Sequence, residues 1–139
     1  MSLIFHHVGL LTSQPELARR RLRLLGYSCG MPVYDPEQNV ELCMCEGPPG
    51  APRMELVTPP ATNLSLSRLL RRKDDYCYHI CFATPSIANG ILTLNSSTLD
   101  SIIEVMPPKP AVLFGGSLVA FYSVPGMGLV ELLEDSKEA

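Results

Sequence analysis

His7-Val8-Gly9-Leu10 and His79-Ile80-Cys81-Phe82 are two short strand-like runs that each carry a histidine. Two later runs, Met54-Glu55-Leu56-Val57 and Val130-Glu131-Leu132-Leu133, each set a glutamate among apolar neighbours. His7 and Glu55 stand 48 residues apart and His79 and Glu131 stand 52 apart, so both halves of a 139-residue chain repeat the same residue types at nearly the same spacing. Such self-similarity marks an internal duplication. In a strand, alternate side chains share a face. Val8 with Leu10, Met54 with Leu56, Ile80 with Phe82 and Val130 with Leu132 therefore form faces suited to packing under helices. The histidines and glutamates take the opposite face. A slip of one residue exchanges His7 for His6, and the apolar Val8 and Leu10 assign the inward place to His7.

Outward from these runs the element order repeats as well. Residues 4–11 predict a strand. Ser13-Gln14-Pro15-Glu16 has the form of a capping box with an early proline, and Ala18, Leu22 and Leu25 recur at helical spacing until Gly26 supplies a stop. Strands are expected near 27–34, 39–46 and 52–58, with turns at Asp35-Pro36 and at the Gly- and Pro-rich stretch 47–52. A short amphipathic helix is expected at 64–73. The order then restarts with a strand over Tyr76–Ala83 and a helix from Ser86 onward, with Ile87, Ile91 and Leu94 on one face and Gly90 weakening it. Strands near 101–106, 117–124 and 128–134 complete the second half. The stretch Pro107–Gly116 reads as a stiff connection ending in a Gly-Gly turn. The expectation is one domain over 1–139, built from a βαβββ module at about 1–60, a connector at 61–75 and a second module at about 76–139.

The totals exclude several classes. Hydrophobic residues at 46%, charged residues at 18% and a net charge of −3 argue against disorder and against an electrostatic attraction to nucleic acid. No apolar run reaches membrane-spanning length, and the residues from Met1 to Gly9 do not resemble a secretory leader. Five cysteines, an odd number without zinc-finger spacing, favour reduced thiols in an intracellular, cytoplasmic setting over a disulfide framework.

Chemistry follows from the residue types that the repeat brings together. A carboxylate facing a sheet interior is costly unless it is paired or metal-bound. Two imidazoles and two carboxylates, from His7, Glu55, His79 and Glu131, balance a divalent cation and leave an octahedral ion two open positions. Cobalt, nickel, manganese, zinc and ferrous iron all suit this donor set. Two neighbouring substrate oxygens fit those positions, with the ion acting as a Lewis acid on the enolate formed when a proton leaves the carbon beside a carbonyl. In Val40-Glu41-Leu42-Cys43-Met44, apolar Val40, Leu42 and Met44 are expected on the helix-covered face, which sends Glu41 inward as an acid/base. A shift of one residue puts Leu42 there instead. Glu131 is the second candidate acid/base.

Together these runs resemble the vicinal oxygen chelate superfamily, and within it the methylmalonyl-CoA epimerases and glyoxalases. His7-Val8-Gly9, Met54-Glu55-Leu56, His79-Ile80-Cys81 and Leu129-Val130-Glu131-Leu132 are similar to the four ligand strands of the epimerases, and the resemblance covers nearly the whole chain. It implies an α+β fold in which two βαβββ modules form a cupped, mixed eight-stranded sheet with helices outside. It also implies a metal-dependent isomerase or epimerase acting on a small molecule such as an acyl-CoA thioester. A glyoxalase I-like lyase and a non-catalytic small-molecule-binding protein are the alternatives. A homodimer is a further implication, and Arg19, Arg20, Arg21 and Arg23, with Arg68, Arg71, Arg72 and Lys73, are candidates for contacting coenzyme A phosphates. The stretch Pro107–Gly116 departs from the epimerase pattern.

Overall fold

The computed structural model describes residues 3–95 and 101–135. Contacts divide the chain into two compact units, one formed by His7–Tyr78 and the other by Met1–His6 together with His79–Ala139. The second has βαβββ order, and the first carries a fourth strand after its helix and a closing helix.

In the first unit, strand β1 (Ile4–Leu11, belonging here from His7) leads into helix α1 (Pro15–Leu24). Strands β2 (Ser28–Cys29), β3 (Val33–Asp35), β4 (Val40–Glu46) and β5 (Met54–Thr58) and helix α2 (Leu64–Lys73) follow. β1 pairs parallel with β5, β5 antiparallel with β4, and β4 receives β2 and β3 one after the other along its other edge. The single strand expected near 27–34 is thus two pieces. Pro32 lies between them, and a proline has no N–H to offer the ladder. α1 packs through Ala18 and Leu22 onto Leu10, Cys43, Cys45 and Leu56.

The capping box expected at Ser13 does not form. The Ser13 N–H and hydroxyl both donate to the Asp75 carboxylate, at 2.9 and 3.2 Å, and the cap position is Gln14, whose side chain makes no cap bond. Pro15 at the first turn needs no N–H partner, which lets the helix start there. Gly26 does supply the stop: its φ of 92° lies in the left-handed region, and the Tyr27 N–H turns back to the Leu22 carbonyl at 2.9 Å.

The second unit contains β6 (Tyr76–Thr84, belonging here from His79), α3 (Ile87–Leu94), β7 (Ile103–Pro110), a 3-10 turn at Val112–Phe114, β8 (Leu118–Val124) and β9 (Gly128–Glu134). β6 runs parallel to β9, and β9, β8 and β7 follow as antiparallel neighbours. The Ser86 side chain caps α3 by accepting the Asn89 N–H, and the Glu134 carboxylate accepts the Ile87 N–H at 3.0 Å. Ile87, Ile91 and Leu94 meet Ala120, Tyr122, Val130 and Leu132, as their helical spacing predicts. Gly90 has a packing reason to sit inside this helix, because a Cβ there would come within 3.3 Å of both Leu132 and Leu3.

Two further expectations need correction. The prolines at 107, 108 and 110 stand inside β7, not in a connection. A strand paired on one side only, with register shifts between Glu104 and Met106 and between Met106 and Lys109, tolerates their missing donors. The cysteines are not all reduced: Cys29 and Cys45, direct partners across β2 and β4, form a disulfide, while Cys43, Cys77 and Cys81 are free. Among the described residues no helix is long and apolar enough to cross a membrane.

Candidate functional site

Each unit presents one histidine–glutamate pair, built the same way. In the first unit β1 and β5 run parallel with Gly9 opposite Glu55, so Glu55 lies across from the residue two places after His7. In the second, Cys81 lies opposite Glu131, again two places after His79. Residues two apart share a strand face, so in both units imidazole and carboxylate emerge on the same side of neighbouring strands. His7 Nε2 lies 3.4 Å from Glu55 Oε1, and His79 Nε2 lies 3.1 Å from Glu131 Oε1.

All four side chains are shielded from water, with exposures of 0% for His7 and 3%, 3% and 2% for Glu55, His79 and Glu131. Their neighbours in sequence explain which face they take. Leu10, Met54 and Leu56 turn toward α1, and Phe82, Val130 and Leu132 turn toward α3, which leaves the histidines and glutamates on the faces away from the helices. In the second unit that face is apolar and aromatic. Phe121 meets the His79 ring edge-on at a centroid distance of 5.1 Å, and Cys81, Val119 and Leu133 pack with Ala111, Met106 and Phe114. His6, the rival of His7, lies edge-on to Phe114 at 5.4 Å.

Glu41 is not where the sequence pattern put it. Its register partner is Thr58, whereas Leu42 faces Val57 and Met44 faces Glu55. Glu41 therefore shares its side of β4 with Cys43 and Cys45, the residues under α1, and it is exposed. Its charge acts on the Cys43 thiol, which burial pushes up from the ordinary range despite the opposing effect of Arg19. Val40, Leu42, Cys43 and Cys45 are all buried, so β4 is apolar on both sides and apolar residues alone did not identify its inner face. The side of β4 that carries Glu55's neighbours holds Val40, Leu42 and Met44 and ends at Glu46, which is exposed and paired with Arg53 Nε at 3.2 Å.

The donor set of each pair, one imidazole nitrogen and one carboxylate oxygen, fits a divalent cation of the first transition series. A buried carboxylate beside an imidazole is also the arrangement that fixes a proton on a known atom.

A hypothetical protein from Bacillus halodurans superimposes with a TM-score of 0.78 at 19% identity, over 100% of this chain and 99% of that one. Methylmalonyl-CoA epimerase from Mycobacterium tuberculosis gives 0.74 at 15% identity, over 93% and 85%. A Streptomyces coelicolor methylmalonyl-CoA epimerase variant in complex with 2-nitronate-propionyl-CoA gives 0.75 at 16% identity, over 96% and 94%. Identities this low establish a shared fold. No curated protein matches by sequence. Residues 6–121 match the family model of the Glyoxalase/Bleomycin resistance protein/Dioxygenase superfamily, and the chain belongs to that superfamily.

Proposed function

We propose that His7, Glu55, His79 and Glu131 together hold one divalent cation, and that the protein is an isomerase moving a proton at the carbon beside a carbonyl or thioester, in the manner of a methylmalonyl-CoA epimerase. One observation carries this reading: the same buried histidine–glutamate pair recurs in both units at the same strand register, on the side turned away from the helices. Duplication accounts for the shared offset, but a buried carboxylate in each unit is costly unless it is paired or metal-bound.

A bound divalent cation would supply Lewis acidity, favouring negative charge on the substrate oxygen as the neighbouring carbon loses its proton. Glu131 is the acid/base. Its carboxylate takes the proton from one face of the carbon, Phe121 fixes the neighbouring His79 imidazole edge-on, and inversion follows when a second donor returns a proton to the opposite face. Burial of the pair excludes the water that would otherwise compete for that proton. The complex of the Streptomyces coelicolor relative with an acyl-CoA analogue supports a thioester as substrate.

Among the described residues Glu131 is the one fully buried carboxylate of the second unit, which favours a second reading. Two-sided epimerisation calls for a further acid on the opposite side of the carbon. A glyoxalase-type lyase, in which one carboxylate both removes and redelivers the proton, needs none. Deuterium wash-in at the α-carbon of methylmalonyl-CoA, followed by NMR in deuterated water, tests both against mere binding. Exchange with inversion supports the epimerase, and exchange without inversion supports single-carboxylate transfer. Absence of label with the metal bound sinks both. Elemental analysis of cobalt-loaded parent, His7→Ala and Glu131→Ala checks the site itself, each variant being expected to lose its equivalent of metal.

A further inference from the structure

We infer that Lys109 is the specificity residue that receives an anionic group of the substrate, so the preferred substrate carries a carboxylate on or beside the reacting carbon. This rests on the reading of Glu131 as acid/base. Three observations within the second unit support it.

The first is register. Lys109 lies opposite Val119, which lies opposite Leu133, and Leu133 shares the inner face of β9 with Glu131. Strand spacings place the Lys109 and Glu131 backbones about 12 Å apart, a gap that a lysine and a small acyl group fill between them. The second is the irregularity of β7. Met106 pairs with Phe121 and Lys109 with Val119, although residues three apart on an unbroken strand face opposite sides. The register shifts on either side of Met106, with Pro107 and Pro108 between it and Lys109, bring both residues to Glu131's side. Bulges beside functional sites re-aim side chains in this way.

The third observation is charge. The wall that Lys109 joins is made of Cys81, Val119, Leu133, Met106 and Phe114, all without charge. Among the described residues no carboxylate forms an ion pair with Lys109, which is itself half-buried. A cation set into an apolar wall without a protein counter-ion suits an anion brought by a ligand.

The test uses the ethyl thioester of methylmalonic acid, which keeps a free carboxylate, and its O-methyl ester, which is neutral. Calorimetric titration of the cobalt-loaded protein with each gives the preference directly, without turnover. The parent is expected to bind the carboxylate form about ten- to a hundred-fold more tightly, the range of a charge-assisted hydrogen bond. Lys109→Met removes that preference, and Lys109→Arg restores most of it, with metal content and thermal midpoint unchanged in both. Equal discrimination by parent and Lys109→Met overturns the assignment, as does a parent that binds neither probe or shows no preference. Failure of the proposed function shows separately, as missing metal or as absent α-carbon exchange in a protein that still distinguishes the two probes.

Discussion

One ion shared by both histidine–glutamate pairs predicts that a change in either unit abolishes the stabilisation that metal confers. The perturbation is His7→Gln in one unit and His79→Gln in the other, each replacing a fully or nearly fully buried imidazole with an amide of similar reach. A ligand that binds only the folded state adds RT ln(1 + [L]/Kd), about 2.7 kcal/mol when free cobalt is set at a hundred times the parent's Kd. For a chain of this length that is a rise of about 10 °C in the thermal midpoint. A variant that has lost one of four donors and binds about a hundred-fold more weakly retains RT ln 2, about 0.4 kcal/mol, or 1–2 °C under the same conditions. Differential scanning fluorimetry with and without cobalt, at fixed protein concentration, reads the difference. Two independent sites, one per pair, would leave each variant with a substantial shift and one remaining equivalent of metal. That result would refute the shared ion and with it the proposed chemistry.

Glu41→Gln is expected to leave metal content and α-carbon exchange within two-fold of the parent, because Glu41 is exposed on the α1 side of β4; a loss of ten-fold or more in exchange would return it to the site. Reduction of Cys29–Cys45, which closes a loop of sequence separation 16, is expected to cost about 3 kcal/mol on the chain-entropy account, measured as a shift in the urea midpoint between Cys29→Ser and parent. An unchanged midpoint would count against the cross-link. Stability should fall with alkaline pH. Burial raises Cys43 from an ordinary value of 9.0 and Tyr76 and Tyr122 from 10.0, Glu104 adding to the rise at Tyr122. Above about pH 9 the unfolded chain therefore releases protons that the folded chain retains, and unfolding becomes easier as pH rises toward the folded values. Urea midpoints between pH 8 and 10.5 check the sign, and a midpoint that rose across that window would contradict it.

The duplication was legible because it is written in two codes that agree. Alternation put Leu10, Leu56, Phe82 and Leu132 under helices, and the residue types at His7, Glu55, His79 and Glu131 recur at matching spacings; the structure keeps all of these relations. The helices were equally plain, with 64–73 found at its expected bounds, where Leu66, Leu69 and Leu70 recur at helical spacing on a half-buried side. Local sequence thus determined the βαβββ order and the face of every proposed ligand.

Tertiary structure decided the rest, wherever a local signal was symmetric or depended on a distant partner. β4 is apolar on both sides, so only its pairing with β5 and its packing under α1 show that Cys43 and Cys45 go to the helix and Glu41 with them. Ser13 resembles a helix cap until Asp75, 62 residues away, takes its donors. Cys29 and Cys45 become partners only when β2 lies along β4. Lys109 reaches the side of Glu131 through two register shifts that no alternation rule foretells, because a bulge is defined by the neighbouring strand. Patterns of period two and 3.6 report which face a residue takes within its own element, whereas the identity of what stands opposite is a property of contacts between distant parts of the chain.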